Sequence, residues 1–145
     1  MCGFAGAISF TEKGAAYHSL TSKATYSLLH RGPDDEGIEF RDNFSVGHRR
    51  LSIIDLSAAA HQPMLDAGGR YLLAYNGEVF NYKALRKELE DAGKKFRSTS
   101  DTEVVLQSLI HWGKEAIEKF DGEFAFAFYD TQTKELILSR DRHGI

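Results

Sequence analysis

The order in which strand-like and helix-like apolar patterns alternate restricts the fold of this chain more than any other feature. Short apolar runs bounded by turn residues indicate buried strands, whereas apolar residues three and four positions apart indicate helices. The predicted elements, in chain order, are a strand over 2–10, a helix over 18–29, one or two strands over 44–54, a strand over 71–75, a helix from Tyr82 that ends at Gly93, a helix that begins at Ser100, and strands over 124–129 and 136–138. This mixed order predicts a layered α+β domain.

Three local signals predict how these elements begin and end. Asn76-Gly77 directly follows an apolar strand, and this dipeptide is the strongest short signal for a tight hairpin turn. Ser100 with Glu103 three residues later matches a capping box, in which each side chain bonds a free backbone N–H of the first turn. The polar stretch 130–134 predicts the turn of a hairpin between the last two strands.

Length and composition fit one globular domain of ordinary size. The chain has 145 residues, of which 42% are hydrophobic and 27% charged. The net charge is -3 and there is no basic run, so nucleic acid is not an expected partner. The longest apolar stretches, such as 124–129, are far shorter than the roughly 20 residues of a membrane span, and the N-terminus lacks a signal-peptide pattern. We therefore expect a cytoplasmic domain without a membrane partner.

The single cysteine, Cys2, excludes an internal disulfide and leaves a nucleophile as the alternative to a small buried side chain. The six histidines are scattered without a helical metal-binding pair, so no metal site is expected. Cysteine is small enough for Met1 to be removed before it, which would give Cys2 both a thiol and a free α-amine. With a pKa of about 7.7–8.0 this amine is partly free near neutrality. Nucleophile and base would then lie on one residue, as they do in enzymes with N-terminal Thr.

Polar residues elsewhere in the chain could complete such a site, although each has a simpler interpretation. A turn at Asn76-Gly77 could present the Asn76 amide and the Gly77 backbone N–H to one point, as in an oxyanion hole. Asp101 could bind a substrate ammonium, or it could be an acid favoured by the dipole at the start of a helix. Of Arg49 and Arg50, one could hold a carboxylate with two hydrogen bonds, or both could be solvated charges on a strand pair.

His30 and Arg31 are most simply charges at the C-terminus of the first helix. Together, the candidate residues supply a nucleophile with its base at Cys2, an oxyanion hole at Asn76-Gly77, a carboxylate ligand at Arg49 or Arg50 and an ammonium ligand at Asp101. Such a set fits hydrolysis of an amide on an amino acid, and glutamine is the obvious substrate.

Ordered motifs over the whole chain resemble a known family. Met1–Gly6 resembles the start of the class II glutamine amidotransferases, which are N-terminal-nucleophile hydrolases. The motifs that narrow the resemblance to the asparagine synthetase branch are His30–Asp34, Gly47–Asp55, His61–Met64, Tyr75–Glu78, Asn81-Tyr82, Ser100–Glu103, Asp121–Phe126 and Arg140–Gly144.

The resemblance implies the four-layer αββα sandwich of that superfamily and a glutaminase mechanism. Cys2 would attack the side-chain amide of glutamine, form a thioester and release ammonia, after which water would release glutamate. Asn76 and Gly77 would stabilise the oxyanion of the tetrahedral intermediate. The implied substrate-binding residues are Arg50 for the α-carboxylate, Glu78 and Asp101 for the α-amine, and Arg31 as a further candidate.

The resemblance also implies partners beyond this chain. Residues 1–145 would form the glutamine amidotransferase domain, and ammonia would pass to a synthetase domain of the full-length protein that uses ATP and magnesium. Because this chain has no Ser-Gly-Gly phosphate-binding motif, we expect it to hold no cofactor itself. The expected partners are glutamine and the synthetase domain, with a homodimer left open. Family domains continue past the point where this chain stops, so we expect its sandwich to be incomplete at the C-terminal end.

Two alternatives remain at this stage. The ammonia acceptor could differ, for example a cell-surface sugar. The Arg-Gly-Pro-Asp and Leu-Ser-Ile-Ile-Asp strings argue against the relatives that make amino sugars, phosphoribosylamine or glutamate. Alternatively, an incomplete sandwich with an open sheet edge could be a catalytically silent docking module.

Overall fold

The computed structural model describes residues 2–53 and 57–145, in which the strands form two antiparallel sheets. One sheet has the order β1-β3-β2 and consists of β1 (Gly3–Ile8), β2 (Asp35–Arg41) and β3 (Phe44–Arg50). The other has the order β4-β5-β6-β7 and consists of β4 (Met64–Leu65), β5 (Tyr71–Val79), β6 (Gly122–Asp130) and β7 (Glu135–Arg140). Met1, Ile54 and Asp55 of the quoted motifs lie outside the described residues.

Helices cover the outer face of each sheet. The helices are α1 (Glu12–Ala15), α2 (Thr21–Tyr26), α3 (Tyr82–Asp91), α4 (Asp101–Trp112) and α5 (Ala116–Lys119), with short 3-10 segments at Ala16–Leu20, Ala58–Ala60 and Gly113–Glu115. α2 packs on β1 and β3, α4 packs on β5, and β1 and β3 pack against β5. The layers therefore run helix, sheet, sheet, helix, which confirms the predicted αββα sandwich. In the described part of the chain, no helix has the length and apolar character needed to cross a membrane.

Two cores lie on opposite faces of β5, because successive side chains of a strand point to opposite sides. Leu72 and Ala74 pack between the sheets against Phe44 of β3, and all three side chains are buried. Leu73 and Tyr75 point the other way, into the core beneath α3 and α4. The strand is thus covered on both faces, and only its edge beyond β4 is left for other contacts.

The prediction of one continuous helix over 18–29 is wrong. The structure has a 3-10 segment at Ala16–Leu20, a short α-helix at Thr21–Tyr26 and turns after it. Serine hydroxyls account for the difference, since the Oγ atoms of Ser19 and Ser27 each donate to a carbonyl three residues earlier. Such side-chain bonds compete with regular helical hydrogen bonding.

The predicted capping box at Ser100 is correct for only one of its two halves. Ser100 is the N-cap of α4, and its Oγ accepts from the N–H of Thr102 at 3.0 Å. The Glu103 carboxylate instead accepts from the backbone N–H groups of Arg97 and Ser98, at 3.0 and 2.7 Å. Glu103 therefore fixes the loop that leads into α4, which a local sequence pattern does not reveal.

The hairpin turn predicted at Asn76-Gly77 is wrong. Both residues lie inside β5, where Asn76 pairs with Ala125 and Gly77 pairs with Phe124 of β6. The predicted hairpin between β6 and β7 is confirmed, because these strands pair directly from Asp130 and Glu135 onward. Long-range pairing with β6 thus overrides the local turn preference of the dipeptide.

Packing of α2 on β3 gives a stability prediction at Gly47. An alanine there would place its Cβ on Thr25 Oγ1 and 2.9 Å from Thr25 Cβ. We expect Gly47→Ala to lower the free energy of unfolding by about 1–3 kcal/mol, as overpacked sites do. Urea unfolding measures the change. Gly68→Ala is the control, because Gly68 is exposed and an added Cβ would meet only Asp66 Oδ2, at 3.1 Å. Equal stability of both variants would contradict the close packing at Gly47.

Candidate active site

A cavity beside the second half of β5 brings together six of the seven predicted site residues. These are Cys2, Arg50, Asn76, Gly77, Glu78 and Asp101. They come from the residue before β1, the end of β3, the end of β5 and the first turn of α4. The two-sheet arrangement therefore places the N-terminal cysteine against the strand that carries Asn76 and Gly77.

Cys2 is held at the cavity wall by its neighbours in the first sheet. Its Sγ lies 3.3 Å from the backbone N of Leu51 and 3.7 Å from the carbonyl oxygen of the same residue. Its own carbonyl accepts a hydrogen bond of 2.9 Å from Arg31 Nε. Since Gly3 pairs with Arg49, Cys2 lies directly beyond the last pair of the ladder, half-exposed and facing the cavity.

The exposed edge of β5 offers one backbone N–H to this cavity. On that edge, Tyr75 N–H donates to Gln62 Oε1 at 2.7 Å and Val79 N–H donates to Asp101 Oδ2 at 3.2 Å. Gly77 lies between them and points to the same edge, because backbone groups alternate in direction along an antiparallel strand. Its partner Phe124 uses both its N–H and its C=O on Asp141. The Gly77 N–H is therefore directed away from β6.

Gly77 is needed at this position for a steric reason that differs from the predicted turn. Its φ is 153°, and a Cβ would collide with the Glu123 carbonyl oxygen and lie 2.6 Å from Phe124 Cα. The adjacent Asn76 side chain lines the cavity and has no hydrogen-bond partner within the described residues. A side-chain amide and a backbone N–H thus stand next to each other as donors, which is the composition of an oxyanion hole.

Asp101 is the first residue of α4 and is buried, with 4% of its surface exposed. Its Oδ2 accepts from the Tyr75 hydroxyl at 2.8 Å and from the Val79 N–H at 3.2 Å. Burial raises the pKa of the Asp101 carboxyl, and these two hydrogen bonds only partly oppose that effect. Burial also raises the pKa of Tyr75 far above its ordinary value, so the phenol remains a donor.

The two arginines at the end of β3 point in different directions. Arg49 forms an ion pair with Glu36 of β2 at 2.6 Å, whereas Arg50 lines the cavity and donates to the Ser57 carbonyl at 3.3 Å. Both are buried, with 9% and 8% of their surface exposed, so the interpretation as solvated charges is wrong. The alternation of side chains along the strand selects Arg50 as the cationic group of the cavity.

The cavity carries both signs of charge. Glu78 lines it directly opposite Glu123 of β6, and neither carboxylate has a partner within residues 2–53 and 57–145. Asp101 adds a third carboxylate, and Arg50 supplies a guanidinium. This arrangement suits a zwitterion that bears one carboxylate and one ammonium. No group of three or more His, Cys, Asp or Glu side chains in the described residues is placed to hold a metal ion.

The structure differs from the sequence-based expectation in three residues. Arg31 does not line the cavity, and its Nε bonds the Cys2 carbonyl, so its position does not support substrate binding. Conversely, Gln62 and Tyr75 line the cavity without having been predicted to have a role. Gln62 belongs to the motif His61–Met64 and Tyr75 to the motif Tyr75–Glu78. Their polar side chains within these motifs were the only indication of a role in the site.

Comparison with known proteins identifies the family. A family model described as a glutamine amidotransferase domain matches residues 1–145. Asparagine synthetase [glutamine-hydrolyzing] 3 of Bacillus subtilis is 37% identical over 147 residues, which cover 100% of this chain and 24% of that protein. Asparagine synthetase B [glutamine-hydrolyzing] of Escherichia coli is 36% identical over 145 residues, covering 100% of this chain and 26% of its own length. The chain thus spans about a quarter of the length of these curated relatives.

A solved structure shares the fold. The glutamine phosphoribosylpyrophosphate amidotransferase of B. subtilis matches with a TM-score of 0.77 at 21% identity, over 99% of this chain and 37% of that one. Such a match at low identity shows that the αββα architecture is common to both. With the family model covering the whole chain, it follows that this protein belongs to the glutamine amidotransferase domain family.

Proposed function

We propose that this chain hydrolyses the side-chain amide of glutamine to glutamate and ammonia through a thioester on Cys2. The observation that carries the proposal is one cavity lined by Cys2, Asn76 and Gly77. The Gly77 N–H is directed away from β6, to the same edge of β5 as the N–H groups of Tyr75 and Val79. A nucleophile and two adjacent donors in one cavity are the groups that acyl transfer requires.

Substrate binding follows from the charges of the cavity. Arg50 receives the α-carboxylate of glutamine, and the buried Asp101 together with Glu78 receives the α-ammonium. These contacts fix both ends of the amino-acid group, so that the side-chain amide extends toward Cys2. Holding the reacting atoms in this way supplies a large part of the rate enhancement.

The reaction requires the free α-amine that removal of Met1 exposes on Cys2. This amine takes the thiol proton as the sulfur attacks the amide carbon, and the oxyanion that forms is stabilised by Asn76 and Gly77. The intermediate breaks its C–N bond, and the proton on the amine passes to the departing nitrogen, which leaves as ammonia. Water, deprotonated by the same amine, then attacks the thioester carbon, releasing glutamate and restoring the thiol.

The names of the relatives support a wider role for the full-length protein. We infer that the ammonia is delivered to a synthetase domain and used to make asparagine in the cytoplasm. ATP and magnesium belong to that domain in this proposal, because the described residues present carboxylates and one arginine to the cavity rather than a phosphate-binding loop.

The direct test is to incubate the purified chain with glutamine and to measure glutamate and ammonia together. We expect equal amounts of both products and none from asparagine, whose shorter side chain does not reach Cys2 when its amino-acid group is bound. The matched control is the same chain with one additional residue retained before Cys2, which blocks the α-amine. Absence of glutamate from the correctly processed chain would contradict the proposal.

A further inference from the structure

Tyr75 is fixed in position by hydrogen bonds with three side chains, those of Gln62, His48 and Asp101. Its N–H donates to Gln62 Oε1 at 2.7 Å, and its carbonyl accepts from His48 Nε2 at 2.9 Å. Its hydroxyl donates to Asp101 Oδ2 at 2.8 Å. These four side chains are each at least 96% buried. Tyr75 therefore connects the edge of β5 to β3, to the segment before β4 and to the first turn of α4.

The contact with His48 is stable near neutral pH. Burial lowers the pKa of His48 to about 4, so the ring is neutral and its Nε2 carries the proton that the Tyr75 carbonyl accepts. Gln62 strengthens the same connection, since its Nε2 lies 3.5 Å from Thr102 Oγ1, next to Asp101. The backbone of Tyr75 and the start of α4 are thus held relative to each other.

The phenol acts on the carboxylate that faces the cavity. Its hydrogen bond and that of the Val79 N–H both end on Oδ2 of Asp101, which sets the direction of the carboxylate. A charged acceptor gains more from such a donor than a neutral one does. Without the phenol, the buried carboxylate would keep its desolvation cost and lose one of its donors.

We propose that Tyr75 is a positioning residue for substrate binding, whose hydroxyl holds the Asp101 carboxylate in the orientation that receives the α-ammonium of glutamine. The inference deepens the proposed function and rests on it. Tyr75 itself takes no part in the chemical steps and acts through Asp101. The effect is therefore confined to substrates that carry an α-amine.

The test compares Tyr75→Phe with Tyr129→Phe on two substrates, glutamine and glutaramate, which is glutamine without the α-amine. Tyr129 is a matched control, because it is equally buried and its hydroxyl bonds Asn43 at 2.7 Å, outside the cavity. We expect Tyr75→Phe to lower kcat/KM for glutamine about tenfold, mainly through KM, as loss of a bond to a charged group does. Hydrolysis of glutaramate is expected to keep its kcat/KM, and Tyr129→Phe to leave the ratio of the two substrates unchanged.

The pH profile provides a second readout. The titratable and charged side chains that line the cavity around Asp101 are those of Tyr75 and Glu78 of β5, Glu123 of β6, Arg50 of β3, and Cys2. The Tyr75 hydrogen bond lowers the pKa of Asp101, so its loss raises that pKa. The acid limb of kcat/KM for glutamine then moves to higher pH in Tyr75→Phe, while the profile for glutaramate stays in place.

The outcomes separate this inference from the proposed function. A wild-type chain that forms no glutamate would overturn the proposed function itself. Equal losses for both substrates in Tyr75→Phe, or no loss for either, would overturn the positioning role alone. If Tyr75→Phe fails to fold in urea titrations, Gln62→Met supplies the test, because it keeps the phenol but removes the acceptor of the Tyr75 backbone N–H, which helps to position the ring. A larger loss for glutamine than for glutaramate supports the inference, and equal losses overturn it.

Discussion

Cys2→Ala abolishes glutamine hydrolysis, with an expected fall in kcat of roughly 10⁴-fold or more, to the background of the assay. Alanine has no sulfur to form the thioester, and the described residues contain no second cysteine. Alanine is also small enough for Met1 to be removed, so the variant has the same free α-amine as the wild type. The loss therefore reports on the nucleophile alone. Coupled detection of glutamate measures it.

The fold is expected to survive this substitution. Cys2 is half-exposed and lies beyond the last pair of the ladder between β1 and β3, so its Sγ contributes little to the core. The free energy of unfolding of Cys2→Ala should lie within about 1 kcal/mol of the wild-type value. A folded Cys2→Ala variant that still hydrolyses glutamine would exclude the thioester mechanism.

Asn76→Ala is expected to lower kcat by about 10²–10³-fold, the usual effect of removing one oxyanion-hole donor. Asn76 lines the cavity next to Gly77. In the proposed mechanism, the hydrogen bond from its amide strengthens as the substrate oxygen gains charge. KM for glutamine should change little, because an interaction made only in the transition state does not contribute to substrate binding. Steady-state kinetics separate the two constants.

Asn81, which precedes α3, provides a control substitution for Asn76. Asn81 bonds the Lys119 carbonyl at 2.8 Å and the Asp121 N–H at 3.1 Å, and it does not line the cavity. Asn81→Ala should lower stability but leave kcat of the folded protein close to wild type. A rise in KM without a fall in kcat for Asn76→Ala would instead place this side chain in ground-state binding.

Much of the architecture could be predicted because its signals are local and periodic. The apolar face of α3, with Leu85 and Leu89 buried, and the hairpin between β6 and β7 follow from spacing and turn composition. The prediction of a long helix over 18–29 was wrong because serine hydroxyls compete with the regular helical hydrogen bonds. The spacing of apolar residues along the sequence, on which the helix prediction rests, does not account for these side-chain hydrogen bonds.

The site was predictable in its residue types and not in its geometry. Asn76-Gly77 has the composition of a hairpin turn, yet pairing with β6 keeps it in a strand, and the close backbone of β6 explains why glycine is required there. For Tyr75 and Gln62 the sequence offers only polar side chains within motifs, because their hydrogen bonds join residues 26 and 13 positions apart in the sequence. Contacts of this kind follow from the packing of the layers.

The most direct test of the account is the intact mass of the chain after exposure to a diazoketone analogue of glutamine. We predict a protein without Met1 that carries one adduct, which peptide mapping places on Cys2. This single result requires removal of Met1, a formed substrate pocket and a competent thiol together. A folded chain that lacks Met1 and remains unmodified would contradict the assignment of this cavity as a glutaminase site.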